Sequence, residues 1–261
     1  MYVTQASKIW GIPADVGTRP LDKDWKGTSK HLGPHHYTPL RKSLELKTSA
    51  ALLSIVAGSV AWASARLQAF PEGARLAQLA EAIFCFQVDP RYFIVAAEFG
   101  FFPQTDGMPL PEAVIEVYPW ALCQDLFSFD DMWPVYPPTI ETAQIIHLTR
   151  HIMPAGDKSY DRWVEGAIFA LDQNAPFLDS RKEPLPDGSP EEVYNAEACR
   201  AIGQPLGPSA LLPGLPFDQA RNRAEVAEIL EQAGTLHNPY LRSPDEMIAR
   251  RFTGTPYRMT P

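Results

Sequence analysis

Thr48-Ser49-Ala50-Ala51-Leu52-Leu53-Ser54-Ile55-Val56-Ala57-Gly58-Ser59-Val60-Ala61-Trp62-Ala63-Ser64-Ala65 runs for eighteen residues without a charge, between Lys47 and Arg66. That length is borderline for a membrane span. The composition argues against one: twelve of the eighteen are Ala, Ser, Gly or Thr, and only Leu52, Leu53, Ile55, Val56, Val60 and Trp62 are large and apolar. So little hydrocarbon gives weak transfer into lipid. Ala50, Ser54 and Gly58 recur every four residues, a stripe of small side chains along which another helix can approach closely. The run therefore reads as the buried central helix of a helical protein. Membrane association through residues 48–65 is the lesser alternative.

Outward from this run the helical period continues. A first helix is expected over 41–68, stopping before Pro71, and a second over 72–87 with Leu76, Leu79, Ala80 and Ile83 on one face. Asp89-Pro90 as a start and Gly100 as a stop predict a helix across 89–100, against the strand-like composition of Tyr92-Phe93-Ile94-Val95. A further helix over 111–128 is interrupted by Pro119. Thr139 opens one to about Met153, and another covers 159–173. Ser189-Pro190-Glu191-Glu192 is a capping box that starts a helix ending near Gly203, and Ser243-Pro244-Asp245-Glu246 repeats the pattern and opens a last helix to about Phe252. Between them Asp218 caps a helix with Gly234 as its left-handed terminator.

Residues 1–40, rich in glycine and proline, read as an extended arm packed on the body through Trp10 and Trp25. The expected fold class is mainly α: an arm over 1–40, then a single multi-helix domain over 41–261. About seven to nine helices are joined by long Pro-rich loops, with at most a minor β component. The 26 prolines, roughly twice average usage, fit that punctuation.

Cys85, Cys123 and Cys199 are widely spaced and odd in number, which suits buried free thiols in a reducing compartment. The first residues show no basic segment followed by an apolar run, so no secretory signal is read there. The expected location is cytoplasmic.

Charge is the strongest functional clue. Leu67 to Thr149 carries eleven acidic residues against two basic ones, a net of −9, whereas the first sixty-six residues carry +5 and Arg150 to Pro261 carries −4. An acidic segment that also holds many aromatics suits a basic partner. Its centre is Asp125-Leu126-Phe127-Ser128-Phe129-Asp130-Asp131-Met132-Trp133-Pro134-Val135-Tyr136. One reading puts the rings in the core and the aspartates in water. The other makes the stretch a recognition loop, with aromatic anchors and carboxylates that engage Arg or Lys. The N-terminal lysines could instead neutralise the acidic segment within the chain. Direct nucleic-acid binding is disfavoured by the net charge of −8 and by the lack of a dense basic stripe.

No catalytic signature stands out. Phosphate-cradling glycine motifs are missing, and Gly207-Pro208-Ser209 lacks the closing glycine of a nucleophile elbow because Leu211 occupies that place. His147 and His151 are four apart on a predicted helix and so share a face, but Leu148 stands where a zinc protease needs its glutamate. His31, His35 and His36 cluster in a loop. The sequence thus leads to a non-enzymatic protein-binding protein: an inhibitor or immunity protein that covers the active site of a basic toxin or nuclease. The expected partner-binding residues are Asp125, Phe127, Phe129, Asp130, Asp131, Trp133 and Tyr136. No catalytic residue, metal ligand or cofactor is assigned, and no membrane or direct nucleic-acid contact is expected. The alternative is a metal-dependent helical enzyme using His147, His151 and a histidine of the 31–36 loop.

Overall fold

The run that opens the sequence forms the helix Ser49–Arg66, and every residue in it except Ala65 is buried. Thr48 starts it: the backbone there is extended, and the threonine hydroxyl accepts from the Ala51 amide at 3.2 Å. That cap satisfies one of the amides a helix start leaves open. The cap also divides the helix expected over 41–68. Thr38–Leu44 is a separate short helix, α1, and the central helix α2 begins only at Ser49. A four-residue elbow between them seats the Lys47 side chain, 2% exposed, against Asp172 and the Ser43 carbonyl.

The structure, a computed structural model, describes residues 7–20, 38–45, 47–94, 138–174 and 202–259. After α2 come α3 (Pro71–Val88), a 3₁₀ turn (Pro90–Tyr92), α4 (Thr139–Ile152) and α5 (Ser159–Asn174). A second 3₁₀ turn (Pro208–Leu211), α6 (Gln219–Thr235) and α7 (Pro244–Ala249) complete the order. Helices α3, α4 and α5 and the 208–211 turn surround α2, while α6 lies against α3. Because the rest of the chain covers α2, the helix is left no face for lipid. The predicted helices at 72–87, 139–153, 159–173 and 218–234 are present with boundaries shifted by a residue or two. The fold is a single, mainly α multi-helix domain.

The small-residue stripe does what small residues are for. A Cβ placed on Gly58 would lie 2.5 Å from Cη2 and Cζ2 of Trp163, so α5 lays its indole directly on the α2 backbone. Ser54 donates to Gln87 Oε1 of α3 at 3.1 Å, and the Tyr160 hydroxyl of α5 donates to Ser59 Oγ at 2.9 Å. Around them Trp10, Trp62, Tyr160 and Trp163 form one aromatic cluster with ring centres 5.5–6.1 Å apart. Trp10 enters it from the N-terminal segment, where its indole donates to the Pro208 carbonyl at 3.1 Å.

At the far end of α2 the last residue is a buried cation. Arg66 is 1% exposed, and its guanidinium donates to the carbonyls of Ile152 (2.7 Å), Val16 (3.0 Å), Pro20 (2.7 Å) and Arg19. Burial, with Arg19 nearby, lowers its pKa, yet a guanidinium stays charged. Arg66 thereby ties the 7–20 segment and the C-terminus of α4 to the central helix. Carbonyls at a helix end are natural partners for a cation.

Three expectations are corrected. The helix predicted across 89–100 stops after one turn: Phe93 pairs in an antiparallel bridge with Leu241, through Ile94 N to Tyr240 O and Arg242 N to Tyr92 O, both 2.9 Å. The strand composition of Tyr92-Phe93-Ile94 outweighed the start signal. Among the described residues this bridge is the β component. Gly234 is no left-handed terminator, since α6 continues to Thr235; the glycine is needed because a Cβ there would meet Tyr257 Cβ at 2.7 Å. The last helix ends at Ala249 rather than Phe252, although its capping box forms as predicted, with Ser243 and Glu246 each bonding the other's amide. The helix expected over 111–128, and that begun by Ser189 except for its end at Ile202 and Gly203 (φ +73°), lie outside the described residues.

Candidate functional site

Asp125, Phe127, Phe129, Asp130, Asp131, Trp133 and Tyr136 all lie outside the described residues, as do Trp25, His31, His35, His36, Cys123 and Cys199. Of the eleven carboxylates between Leu67 and Thr149, seven fall within 95–137, where there is no Lys or Arg at all. Among the described remainder, Asp89 pairs with Arg91 at 2.6 Å, and Glu81 is buried in the core.

Four of the described cations of the N-terminal quarter have partners elsewhere. Arg19 pairs with Asp15 at 2.8 Å and with Asp157 at 2.6 Å, and Arg41 approaches Glu45 at 4.0 Å. Lys47 pairs with Asp172, and Arg66 is filled by backbone carbonyls. Asp157 is held below the usual carboxylate range, first by the Ser159 hydroxyl and amide and then by Arg19. Thus Arg19 of the arm, and Arg41, Lys47 and Arg66 beyond it, face Asp15, Asp157, Glu45, Asp172 or carbonyl groups, while the arm lysines Lys23, Lys26 and Lys30 lie outside the described residues.

The other chemistry-bearing groups can be placed. Ser209 is 6% exposed; its amide donates to Glu225 at 3.0 Å, and its hydroxyl accepts from Arg221 Nε at 3.1 Å. Together with Gly207 N to Asn222 Oδ1 (2.8 Å) and Leu206 N to Gln87 Oε1 (3.1 Å), these bonds clip the 206–209 loop onto α6 and α3. A hydroxyl facing a guanidinium has an electrostatic partner, not a base, so Ser209 holds the loop. Cys85 is a fully buried free thiol whose pKa is pushed well up, first by burial and then by the neighbouring Glu81. It is therefore unsuited to act as a thiolate nucleophile.

Glu81 is the residue that sequence reading passed over. It sits on α3 one turn before Cys85 and is 3% exposed. Asn238 Nδ2 donates to its Oε2 at 3.1 Å, while Oε1 is buried without a partner. Burial raises its pKa and the Asn238 bond opposes the rise. The signal was present: Glu81 is the single charge between Leu76 and Val88. Asn238 in turn accepts from Tyr240 N at 2.9 Å and donates to the Gln78 carbonyl at 2.8 Å, so this polar knot docks the 236–242 loop on α3.

His147 and His151 are brought together on α4 as their spacing required. Their ring centres lie 5.3 Å apart with planes 35° from parallel; His147 is half-buried and His151 exposed. The third histidine expected from the 31–36 loop lies outside the described residues, and among the described residues no three His, Cys, Asp or Glu side chains cluster in metal-binding fashion. A cleft of about 320 Å³ opens between the 7–16 segment and the α2–α3 junction, lined by Ile12, Val16, Ser64, Gln68 and Ala77 among others. Among the described residues that line it none is charged, and the Ser64 hydroxyl at its wall is spent on the Gly73 carbonyl at 2.7 Å.

Compared with known protein families, curated proteins and solved structures, the chain matches none.

Proposed function

We propose that this protein is a non-enzymatic binding protein, an inhibitor or immunity-type protein that neutralises a basic toxin or nuclease by covering its active site. The observation that carries the reading is the run of seven carboxylates without a Lys or Arg over 95–137; of the described cations of the N-terminal quarter, Arg19, Arg41, Lys47 and Arg66 have other partners. A nuclease cleft is basic because it binds phosphate, and clustered carboxylates next to aromatic anchors are the complementary chemistry. Asp125, Asp130 and Asp131 supply the charge in this reading, and Phe127, Phe129, Trp133 and Tyr136 the anchors. The helical body built on α2 serves as the scaffold that presents them.

The test is affinity capture from the native cells with two baits, the wild type and Asp125→Ala/Asp130→Ala/Asp131→Ala, at low and moderate salt. The expected result is one basic protein retained in stoichiometric amount by the wild type and lost from the variant. The same proteins recovered on both baits would remove the site assignment, and no basic protein on either would remove the function.

A further inference from the structure

We propose that the Glu81 carboxyl makes the docking of the 236–242 loop on α3 proton-sensitive: the loop is held in acid and loosens as Glu81 ionises. Glu81 lies at the contact itself, 3% exposed. Its Oε2 accepts from Asn238 Nδ2 at 3.1 Å, and its Oε1 is buried with no partner. An ionised carboxylate has two charged oxygens to satisfy, so this site penalises the anion more than the neutral acid. Lifting the Asn238 side of the contact lets water reach the carboxylate and removes the penalty.

The loop's other ties run to the same short stretch of chain. Asn238 Nδ2 donates to the Gln78 carbonyl at 2.8 Å, Arg242 N to Tyr92 O and Ile94 N to Tyr240 O, both at 2.9 Å. The Arg242 guanidinium donates to the carbonyls of Arg91 and Phe93. All of these partners lie within 78–94, so the loop can part from α3 and the 90–94 turn while α2 stays packed. Lifting it also unpins Ile94, the last described residue before the 95–137 stretch.

The groups around Glu81 leave it as the one that responds. Burial raises its pKa first, and the Asn238 bond and the chain's α-amino group oppose the rise. Cys85, one turn along α3, and the Tyr92 and Tyr257 hydroxyls are all pushed up by burial and stay neutral. Arg91 pairs with Asp89, and His237 in the loop is exposed. On α6, Arg221 and Glu225 face Ser209, Glu228 accepts from Gln232, Glu231 pairs with Arg258 and Arg223 is exposed. The docked pKa of Glu81 thus exceeds the undocked one. Docking is strongest below the undocked value and weakens as pH rises through the docked value.

Hydrogen exchange at the Ile94 and Arg242 amides, corrected for the intrinsic rate at each pH, reads the opening constant. The interval from about pH 4.5 to 6.5 keeps the α-amino group charged. The proteins are the wild type, Glu81→Gln and, as a control for the imidazole of the same loop, His237→Asn. In the wild type and His237→Asn the constant should rise with pH, by about threefold for each half unit between the two pKa values. In Glu81→Gln it should stay flat. The Val56 and Ala57 amides of α2 should open far less often than those of the loop. A flat profile in the wild type, an equal slope in Glu81→Gln, or loss of the slope in His237→Asn would overturn the proposal. Equal opening constants at Arg242 and in α2 would do the same, because Glu81 would then act on global unfolding alone.

Discussion

Replacing Gly58 by alanine sets two known effects against each other at one atom. In an exposed helix, alanine for glycine stabilises by about 0.8–1.0 kcal/mol through backbone entropy and helix propensity. At Gly58 the added methyl would lie 2.5 Å from two carbons of the Trp163 indole, where carbon atoms pack at about 3.5–4.0 Å. At least about 1 Å must be found by moving the ring or the helix. Trp163 cannot yield freely, because Trp10, Trp62 and Tyr160 lie 5.8, 6.1 and 5.8 Å away, centre to centre. Overpacking of this kind costs about 1–3 kcal/mol, and the rigid surroundings place this site in the upper half of that range. The net expectation is a loss of about 1–2 kcal/mol, read as a lower urea midpoint at unchanged slope and a melting temperature lower by about 2–8 °C. Trp163→Phe removes the two clashing carbons. In that background, Gly58→Ala should stabilise, so the double-mutant cycle shows favourable coupling. If Gly58→Ala alone stabilises the wild type by the full propensity gain, the close helix contact is wrong.

Further outcomes follow from the buried polar groups. Glu81→Gln should raise stability at neutral pH. The folded-state pKa of Glu81 lies above its unfolded value, so the fold favours the protonated form; that preference stabilises below the unfolded pKa and is lost as pH rises through the folded pKa. Melting curves of variant and wild type should therefore diverge at neutral pH and converge in acid, and a constant difference across pH would refute the assignment. Arg66→Met should strand several carbonyls, costing at least about 3 kcal/mol at about 1–3 kcal/mol per orphaned group, and should expose the 7–20 segment to trypsin at Lys8; unchanged digestion kinetics would show that the guanidinium is not the tie. In native protein Cys85 should resist thiol reagents and react only in denaturant, as peptide mass spectrometry would report. Ser243→Ala should cost about 1 kcal/mol through loss of the cap on α7, measured by chemical denaturation.

The helices were legible because their signals are local. An uncharged run with a small-residue stripe implied a buried central helix, and α2 is that helix. Ser243 with Glu246, and Asp218 with the Arg221 amide, cap as their spacing implied. What could not be read locally went wrong for tertiary reasons. Thr48 offers a helix start in the middle of a helical period, and the choice between continuing and restarting depends on Gly203, where a Cβ would touch the Thr48 hydroxyl at 2.5 Å. Gly234 has the composition of a helix stop, but its lack of a side chain answers to Tyr257. Phe93 becomes extended because Leu241 is there to pair with it, 148 positions along the chain.

The candidate site was less legible because a formal charge does not say where its carboxylate goes. Glu81 and Asp89 both count toward the −9 of the middle segment, yet one is enclosed in the core with a raised pKa and the other is bound to Arg91. Neither can attract a partner as a free surface charge would. The same discount applies to the N-terminal +5, since Arg19, Arg41, Lys47 and Arg66 have partners that the sequence did not pair with them. Of the nine other carboxylates of the middle segment, seven fall within 95–137, a stretch with no Lys or Arg of its own. Carboxylates at that density along the chain repel one another, and a basic partner relieves the repulsion while a neutral one does not. Complex formation that depends on Asp130 and Asp131, and that slows as ionic strength rises, is the behaviour the proposed function predicts.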